Sequence, residues 1–290
     1  MRLKKLRLAG QELGPLEMPA ILVPNHLYLE GTVDTSLFGA KLYLRQLQVA
    51  EPLSPRFRIN MAAQLDDLDL ARVAGENFLL EGHLGGLLDP VSISGERMNA
   101  TGELTGDLFG GRLDIRNVTA ERPFSAGREI GGDVNVRLID LERLSAALGV
   151  GRITGLLSGS IEGLRVAYDQ PVAFHLKMES VPVKGVTQSV SLKAVNSISL
   201  VSTGSALSGM GLSLMTTFFK EFPYEKIGFE CGLKNDVFTV RGLIHEDGVE
   251  YLVKRRFFAG INVINRIPDN RIGFSDMVER AKRVTGERSN

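Results

Sequence analysis

The residues that could perform acid–base or metal chemistry are scattered along this sequence. Its four histidines are His26, His83, His175 and His245, far apart in the chain. A catalytic or metal site would need them to converge in the fold, so we predict ordinary strand and surface histidines, no metal site and no cofactor. The HExxH, GxSxG, CxxC and Walker motifs are all missing, and we therefore expect a protein that is not an enzyme.

Two further motifs have simpler structural explanations. Asp66, Asp67 and Asp69 could bind a cation, but their spacing is more typical of a helix N-terminus, where carboxylates meet free N–H groups. The stretch from Gly149 to Gly155 resembles a dinucleotide loop, but it follows a predicted helix and leads into a strand, the reverse of the order that a phosphate site needs. Neither motif predicts catalysis.

One basic and aromatic cluster could contact anionic lipid headgroups. It consists of Lys254, Arg255, Arg256, Phe257 and Phe258. In that interpretation the cations bind headgroups and the phenylalanines enter the membrane interface. The alternative is a solvated strand end followed by two core phenylalanines.

The composition is that of a globular protein without a bias towards nucleic acid. Lys+Arg and Asp+Glu balance at 34 each in 290 residues, so nucleic acid is not an expected partner. Cys231 is the only cysteine, which excludes an intramolecular disulfide. The basic start at Met1 is not followed by an apolar segment, so we expect any export signal or membrane anchor to lie outside this chain.

An internal repeat organises the first half. Stretches starting at Gly31 and Gly102 match at a constant offset of 71 residues. The same offset relates further positions without a gap: Pro52 and Pro123, Ser54 and Ser125, Ile59 and Ile130, Asp69 and Asp140. Downstream, Leu79 to Leu87 resembles Leu156 to Leu164 at an offset of 77, which predicts an insertion of about six residues between the blocks.

Each repeat is predicted to contain about four strands and a short helix. Leu104 and Leu108, and then Leu113 and Ile115, alternate with polar residues, as in half-buried strands. Gly110-Gly111 predicts a type I′ turn between them, and Gly39-Ala40 predicts a type II′ turn with Gly39 first. Further strands are expected near 57–65 and 128–138. Asp140 is expected to begin a helix that Gly149 ends, with the same plan from Asp67 or Asp69 to Gly75.

The second half is predicted to be β-rich with two helices. Alternation over 171–203 indicates strands, one of them near 195–202, and strands flank a turn at Lys234-Asn235-Asp236. The predicted domains are a 1–24 lead-in, two repeat units in 25–170 (about 31–95 and 102–165), a 171–256 β segment with a buried helix near 206–221, and a 257–290 tail with an amphipathic helix.

The predicted strands are interrupted by glycines, and the sequence pattern from Asp140 to Ile161 combines leucines and glycines at regular spacing. Both features resemble the AsmA-like superfamily of bacterial envelope proteins, with its TamB, YhdP and YdbH types. The stretch from Asn265 to Ser275 looks like the C-terminal part of the YdbH branch, which also carries a dicarboxylate transport label. The resemblance implies a mainly β fold, with a long curved antiparallel sheet built from repeats of about 70–77 residues, short helices and a C-terminal amphipathic helix. It also implies a periplasmic location, with an inner-membrane anchor in a segment absent from this chain.

The resemblance implies phospholipid transport between membranes, with acyl chains in an apolar β-groove and an outer-membrane protein or lipoprotein as a further partner. The groove candidates are the alternating apolar residues of the two hairpins: Val33, Leu37, Leu42, Leu44, Leu104, Leu108, Leu113 and Ile115. Two alternatives remain open from the sequence. One is a structural β-solenoid or adhesin module filled by its own side chains, and the other is a component that binds or transports small dicarboxylic acids.

Overall fold

The structure is a computed structural model of the 290-residue chain. The structure describes residues 19–74, 79–203, 221–256, 258, 260–265, 271–276 and 278–279, with short strand segments between residues 2 and 17. The prediction of a mainly β protein is confirmed, since the strands pair antiparallel in one large sheet that is not closed, in accord with a curved sheet.

The described elements follow one another as strands with three helices between them. The strands before the first helix are β1 (Arg2–Leu3), β2 (Leu6–Leu8), β3 (Gln11–Leu13), β4 (Leu16–Glu17), β5 (Ala20–Val23), β6 (His26–Leu29), β7 (Thr32–Leu37), β8 (Ala40–Ala50) and β9 (Arg58–Asp69). Helix α1 (Ala71–Ala74) is followed by β10 (His83–Ser94), β11 (Arg97–Leu108), β12 (Gly111–Glu121), β13 (Glu129–Asp140) and helix α2 (Leu141–Ala147). Then come β14 (Ile153–Thr154), β15 (Leu156–Ala167), β16 (Gln170–Val181), β17 (Ser189–Ser191) and helix α3 (Leu192–Thr203). The last strands are β18 (Glu221–Lys234), β19 (Val237–Gly242), β20 (Ile244–Glu246), β21 (Val249–Arg255), β22 (Val263–Ile264) and β23 (Arg271–Gly273).

Contacts divide the chain into two compact units. Unit 1 comprises residues 1–108, 112–135 and 162–171, and unit 2 comprises residues 109–111, 136–161 and 172–290. Unit 1 contains the first repeat and much of the second. Unit 2 contains the helices α2 and α3 with the C-terminal strands.

The repeat found in the sequence is also a structural repeat. Strands β8 and β12 have the same length at an offset of 71 residues, and so do β9 and β13. Unusual backbone angles recur at the same offset, with positive φ at four pairs of residues other than glycine: Phe38 and Phe109, Gln46 and Asn117, Glu51 and Arg122, Asp67 and Leu138. Because L-residues rarely adopt positive φ, this recurrence shows that the two copies share their backbone path.

The structure corrects the predicted insertion between the repeat blocks. The backbone N–H of Leu70 donates to the Gly82 carbonyl, and the N–H of Leu141 donates to the Gly155 carbonyl, both at 3.0 Å. Leu70 and Leu141 are 71 residues apart, whereas Gly82 and Gly155 are 73 apart. The predicted offset of 77 was therefore wrong at this point, because β10 and β15 are aligned by this hydrogen bond and not by their leucine–glycine likeness.

The hairpin turns lie one residue earlier than predicted. Positive φ occurs at Phe109 and Gly110 in the second copy and at Phe38 and Gly39 in the first, so both turns have the type I′ signature. The predictions of Gly110-Gly111 and of a type II′ turn at Gly39-Ala40 were wrong, since Leu37 pairs with Ala40. Phe109 is buried to 2% exposure, and we infer that this burial offsets the cost of its positive φ.

The N-caps of both short helices and the end of the second follow the sequence prediction, while Gly75, the predicted end of the first, lies outside the described residues. Asp140 accepts hydrogen bonds from the N–H groups of Glu142 and Arg143 at 2.7 and 3.3 Å, and Gly149 follows the helix with φ of 65°. In the first copy, Asp69 accepts from the Ala71 N–H at 3.0 Å. Asp140 and Asp69 therefore satisfy helix N-termini, as expected, whereas Asp66 and Asp67 lie within strand β9 and their prediction at a helix N-terminus was wrong.

Helix α3 corrects the prediction for the second half. Residues 192–203 are helical, so the strand predicted near 195–202 was wrong. Ala194 and Val195 have no exposed surface, and this burial outweighs the weak helix propensity of the β-branched and serine residues around them. The helix predicted near 206–221 lies outside the described residues, except that Glu221 begins a strand. The tail helix is described only at 274–276 and 278–279, which are helical.

Unit 2 has its own tightly filled core around strand β18. The first part of β18 pairs with β17 and β21, and its last part pairs with β16 and β19. The side chains that β18 and its neighbours bury at or below 2% exposure are Val190, Ala194, Val195, Phe222, Tyr224, Leu252, Val253 and Val263. This core is closed by its own side chains.

The two repeat turns offer a matched test of turn packing. Phe109→Ala should lower the free energy of unfolding by about 3–5 kcal/mol, because it empties a fully buried site. Phe38→Ala, at the equivalent but half-buried position, should cost clearly less. Both substitutions leave a non-glycine residue at positive φ, so their difference isolates packing. Urea denaturation of both variants checks this, and equal losses would contradict it.

Candidate functional site

One face of the sheet in unit 1 is apolar across neighbouring strands. Directly opposite residues of antiparallel strands point to the same face, so the strand register identifies its members. Two rows cross β7 to β11: Val33, Leu44, Ala63, Leu88 and Gly102; then Thr35, Leu42, Leu65, Gly86 and Leu104. A third row crosses β5, β6 and β8 to β11: Leu22, Leu27, Val49, Ile59, Ile93 and Met98. We call these three rows the apolar face.

The opposite face of the same strands is polar. Its members, read from the intervening register pairs, include Asp34, Ser36, Lys41, Tyr43, Arg45, Gln64, Ser92, Asn99 and Glu103. The exceptions on this face are Leu87, Ile21 and Val23, with 48%, 47% and 39% of their surface exposed, and Ala62, which is buried. The sheet of unit 1 is therefore amphipathic, and its two faces differ sharply in chemistry.

Register shifts keep the apolar face continuous. In β8 the apolar positions change from Leu42 and Leu44 to Val49, and the pairing with β9 shifts between Arg45 and Gln48. In β10 they change from Leu88 to Val91, where the register shifts again. A bulge adds one residue to a strand and so reverses which parity points inward. Each change of phase in the sequence therefore coincides with a bulge.

The structure brings most of the predicted groove residues onto the apolar face. Val33, Leu42, Leu44 and Leu104 belong to its rows, and Leu37 and Leu108 continue it along their strands. The two-residue turn at Phe109-Gly110 aligns Leu113 and Ile115 with Gly106 and Leu104, since loop length fixes hairpin register. Burial is uneven along the face. Val33, Leu42, Leu44, Leu104 and Leu113 are buried, whereas Leu37, Leu108 and Ile115 are half-buried.

Sequence reasoning missed the contribution of β9 and β10 to this face. Leu65, Val91 and Ile93 are buried there at 7%, 3% and 2% exposure. The alternation of Val91 and Ile93 with serines was a usable signal. The bulge after Leu88 hid the fact that Leu88 and Val91 lie on the same face, because the alternation shifts by one residue there.

The apolar face is most accessible at its third row, apart from Ile93, which is 2% exposed. Leu27, Val49, Ile59 and Met98 are half-buried, and Leu22 is 73% exposed. At the same strand ends lies a cleft of about 790 Å³, whose walls include Leu22 of this row, Leu53 of the β8–β9 loop, and Val23, His26 and Arg58 of the opposite face. A ligand from solvent would meet the apolar face at this end.

The basic and aromatic cluster in unit 2 is only partly free for headgroups. The Lys254 ammonium lies 3.0 Å from Glu246 and 3.7 Å from Glu225, and these carboxylates raise the pKa of Lys254. Arg255 lies 5.9 Å from the ring centroid of Phe258, which is 90% exposed. Arg256 is exposed, and Phe257 lies outside the described residues. Within this cluster Arg255 and Phe258 are the pair placed to meet a surface.

The histidines do not converge on one site. His83, His175 and His245 approach different carboxylates, with His175 Nε2 only 2.7 Å from Glu230 Oε1. His26 stacks on Tyr28. In the part of the chain that the structure describes, no group of three His, Cys, Asp or Glu side chains could hold a metal ion. No described helix is long and apolar enough to cross a membrane.

Cys231 is poorly suited to thiolate chemistry. Burial raises the pKa of its thiol to about 12, and the neighbouring Glu230 carboxylate adds to the rise. A small part of the residue reaches solvent, yet at neutral pH the thiol stays protonated and a weak nucleophile.

A polar cluster in unit 2 links four elements instead of forming a reactive site. The Arg152 guanidinium bonds Glu142 of α2 at 2.8 Å and also bonds Glu221 of β18. Glu221 accepts from the Ser189 hydroxyl at 2.8 Å, and these two partners lower the pKa of Glu221. Burial raises the pKa of the nearby Tyr224 to about 12, and its hydroxyl donates to the Thr154 carbonyl at 2.7 Å. Each strong acceptor here already has a donor.

Comparison with known proteins identifies no relative. No family model matches the chain, and no curated protein and no solved structure matches it.

The polar cluster gives a prediction for pH dependence. The lowered pKa of Glu221 means that its ionised form stabilises the fold above its ordinary value of 4.5, and that this contribution is lost as the pH falls through the lowered value. Glu221→Gln should therefore reduce the urea midpoint at neutral pH, and the deficit should shrink in acid. Glu162→Gln, at an exposed residue of β15, is the control. A deficit that stays constant with pH would refute the linkage.

Proposed function

We propose that this chain is a non-enzymatic lipid-binding segment that holds phospholipid acyl chains against the apolar face of unit 1. The observation that carries the proposal is the one-sided chemistry of the sheet, with leucine, valine and isoleucine in rows on one face and charged side chains on the other. A lipid chain has the same chemistry as such a face, and its headgroup can remain in water.

The size of the apolar face fits an acyl chain. Its third row runs through six strands, and at about 4.8 Å per strand spacing it extends roughly 24 Å along the sheet. Each methylene removed from water contributes about 0.8 kcal/mol, so ten methylenes give roughly 8 kcal/mol before the costs of association. This gain needs no catalytic group.

The cellular setting remains the one that the AsmA-like resemblance implies. In this proposal the chain works in the periplasm as part of an envelope protein anchored to the inner membrane. It passes phospholipid between the membranes, and an outer-membrane protein or lipoprotein is its further partner. The support is the resemblance of the repeated strands, together with the apolar face that those strands build.

A second candidate is a structural module whose apolar face is filled by its own side chains. The burial of Leu44, Val91 and Ile93 to between 2% and 4% exposure favours it, because these side chains are already shielded from water. The two candidates differ at the half-buried positions. A lipid carrier presents these to its ligand, whereas a self-filled module uses them only for packing.

Photo-crosslinking at neighbouring residues of opposite faces distinguishes the candidates. A photoreactive phenylalanine analogue at Leu37 or Val49, on the apolar face, should crosslink to phospholipid added as mixed micelles and increase the protein mass by one lipid. The same analogue at Ser36 or Gln48 should give at least about tenfold less adduct, because these residues point to the polar face.

Each pair serves as its own control, because the two residues are adjacent on one strand. Adducts at both members of a pair would indicate nonspecific micelle contact. Absence of adducts at Leu37 and Val49 in a folded protein would favour the self-filled module and overturn the lipid proposal.

A further inference from the structure

Several loops of unit 1 lie side by side at the same end of its sheet. They are the β5–β6 turn (24–25), the β8–β9 loop (51–57), the β10–β11 turn (95–96), the β12–β13 loop (122–128) and the β15–β16 turn (168–169). Backbone hydrogen bonds join them, from the Glu51 N–H to the Asn25 carbonyl at 2.7 Å and from the Arg122 N–H to the Glu96 carbonyl at 2.5 Å. We call this group of loops the loop rim.

The loop rim presents large apolar side chains to solvent. Leu53 is fully exposed, and Phe124 is 47% exposed. These residues occupy equivalent positions of the two repeats, each directly after a proline. Tyr168 is 74% exposed at the neighbouring turn. An exposed apolar residue at the same loop apex in both repeats is not required by the fold, since neither Leu53 nor the exposed part of Phe124 fills a core.

Arginines accompany these apolar tips. Arg58 and Arg97 are paired with Glu51 and Glu121 at 3.4 and 3.1 Å. Arg56, Arg122 and Arg128 belong to the two loops that carry the tips. Because Glu96 and Asp169 lie in the rim turns, the excess of positive charge is small. Any electrostatic attraction of the rim is therefore secondary to its apolar tips.

The loop rim also adjoins the accessible end of the apolar face. Leu53 and Leu22 both line the cleft of about 790 Å³, and Leu22 begins the third row of the apolar face. The third row is the row of the apolar face nearest to the rim, since Val49 and Ile59 are one residue from the ends of β8 and β9 that border the β8–β9 loop. The rim is thus the end at which apolar material can reach the sheet.

We propose that the loop rim docks on the surface of a phospholipid bilayer, with Leu53 and Phe124 inserted among the acyl chains and the rim arginines against lipid phosphates. Apolar side chains on separate loops can insert into a bilayer to different depths. Tyrosine and arginine side chains are favourable at the membrane–water interface. A protein partner would instead require a contiguous, shape-matched patch. The docking deepens the proposed function. The role of the rim as the entry point for lipid rests on that function.

Flotation with vesicles of phosphatidylcholine and phosphatidylglycerol tests the docking. The full chain should float with the vesicles, and Leu53→Ser combined with Phe124→Ser should lower its partition coefficient by about tenfold, since two apolar side chains no longer enter the interface. Leu53→Ser alone should give part of this loss without affecting folding, because that side chain is fully exposed. Leu87→Ser, which removes an exposed leucine from the polar face, is the matched control and should float like the wild type.

The arginines are tested separately by charge. Arg56→Gln with Arg128→Gln should weaken flotation by roughly fivefold per residue at low salt and much less at high salt. Arg45→Gln, on the polar face, should have no effect. Wild-type protein that does not float, or Leu53→Ser with Phe124→Ser that floats unchanged, would overturn the docking.

The same samples separate the docking from the proposed function. Lipid extracted from the soluble protein reports binding to the apolar face, which the rim substitutions leave intact. Flotation without any bound lipid in the soluble protein would uphold the docking and contradict the lipid-carrier function. Bound lipid without flotation would uphold the lipid-carrier function and contradict the docking.

Discussion

The architecture of unit 1 depends on keeping its apolar side chains on one face of a sheet whose strands are interrupted by bulges. A strand exposes alternate residues to opposite faces, so one extra residue sends every later side chain to the wrong side. In this chain the apolar residues change from even to odd positions, or the reverse, where the register shifts. In β8 this change lies between Leu44 and Val49. Sequence and backbone therefore agree at each interruption, and the result is a continuous apolar face.

The two copies of the repeat share their backbone conformation but differ in the side-chain interactions that stabilise it. Gln46 and Asn117 have the same positive φ in the two copies. In the second copy Asn117 donates to Asp133 at 2.7 Å, and Asp133 also accepts from the Gly163 N–H at 2.7 Å. In the first copy the position of Asp133 is taken by Ala62. The same backbone path is thus kept by different side-chain interactions.

Much of the fold could be predicted because its signals are local. Period-two alternation identified the hairpins, Asp140 and Gly149 identified the ends of α2, and self-similarity identified the repeat. The errors came from longer-range effects. The strand predicted near 195–202 is a helix because its buried face outweighs local propensity. The turn of the second copy lies one residue earlier than predicted because the burial of Phe109 stabilises a conformation that sequence rules assign to glycine.

The candidate site could be predicted only in part for the same reason. Alternation gave Val33, Leu42, Leu44 and Leu104, but register was needed to add Leu65 and Ile93 to the same face. The difference in burial between Leu44 and Leu37 depends on neighbours that no sequence pattern specifies. The loop rim was overlooked because its signal is two single residues, Leu53 and Phe124, whose equivalence only the repeat reveals.

Native mass spectrometry of the purified chain, with lipid extraction from the same sample, tests the central claim most directly. A lipid-binding chain should carry phospholipid in a defined stoichiometry and release it on organic denaturation. Protein that has only its bare mass, unchanged after incubation with phospholipid micelles, would contradict this claim and leave the apolar face as a self-filled structural core.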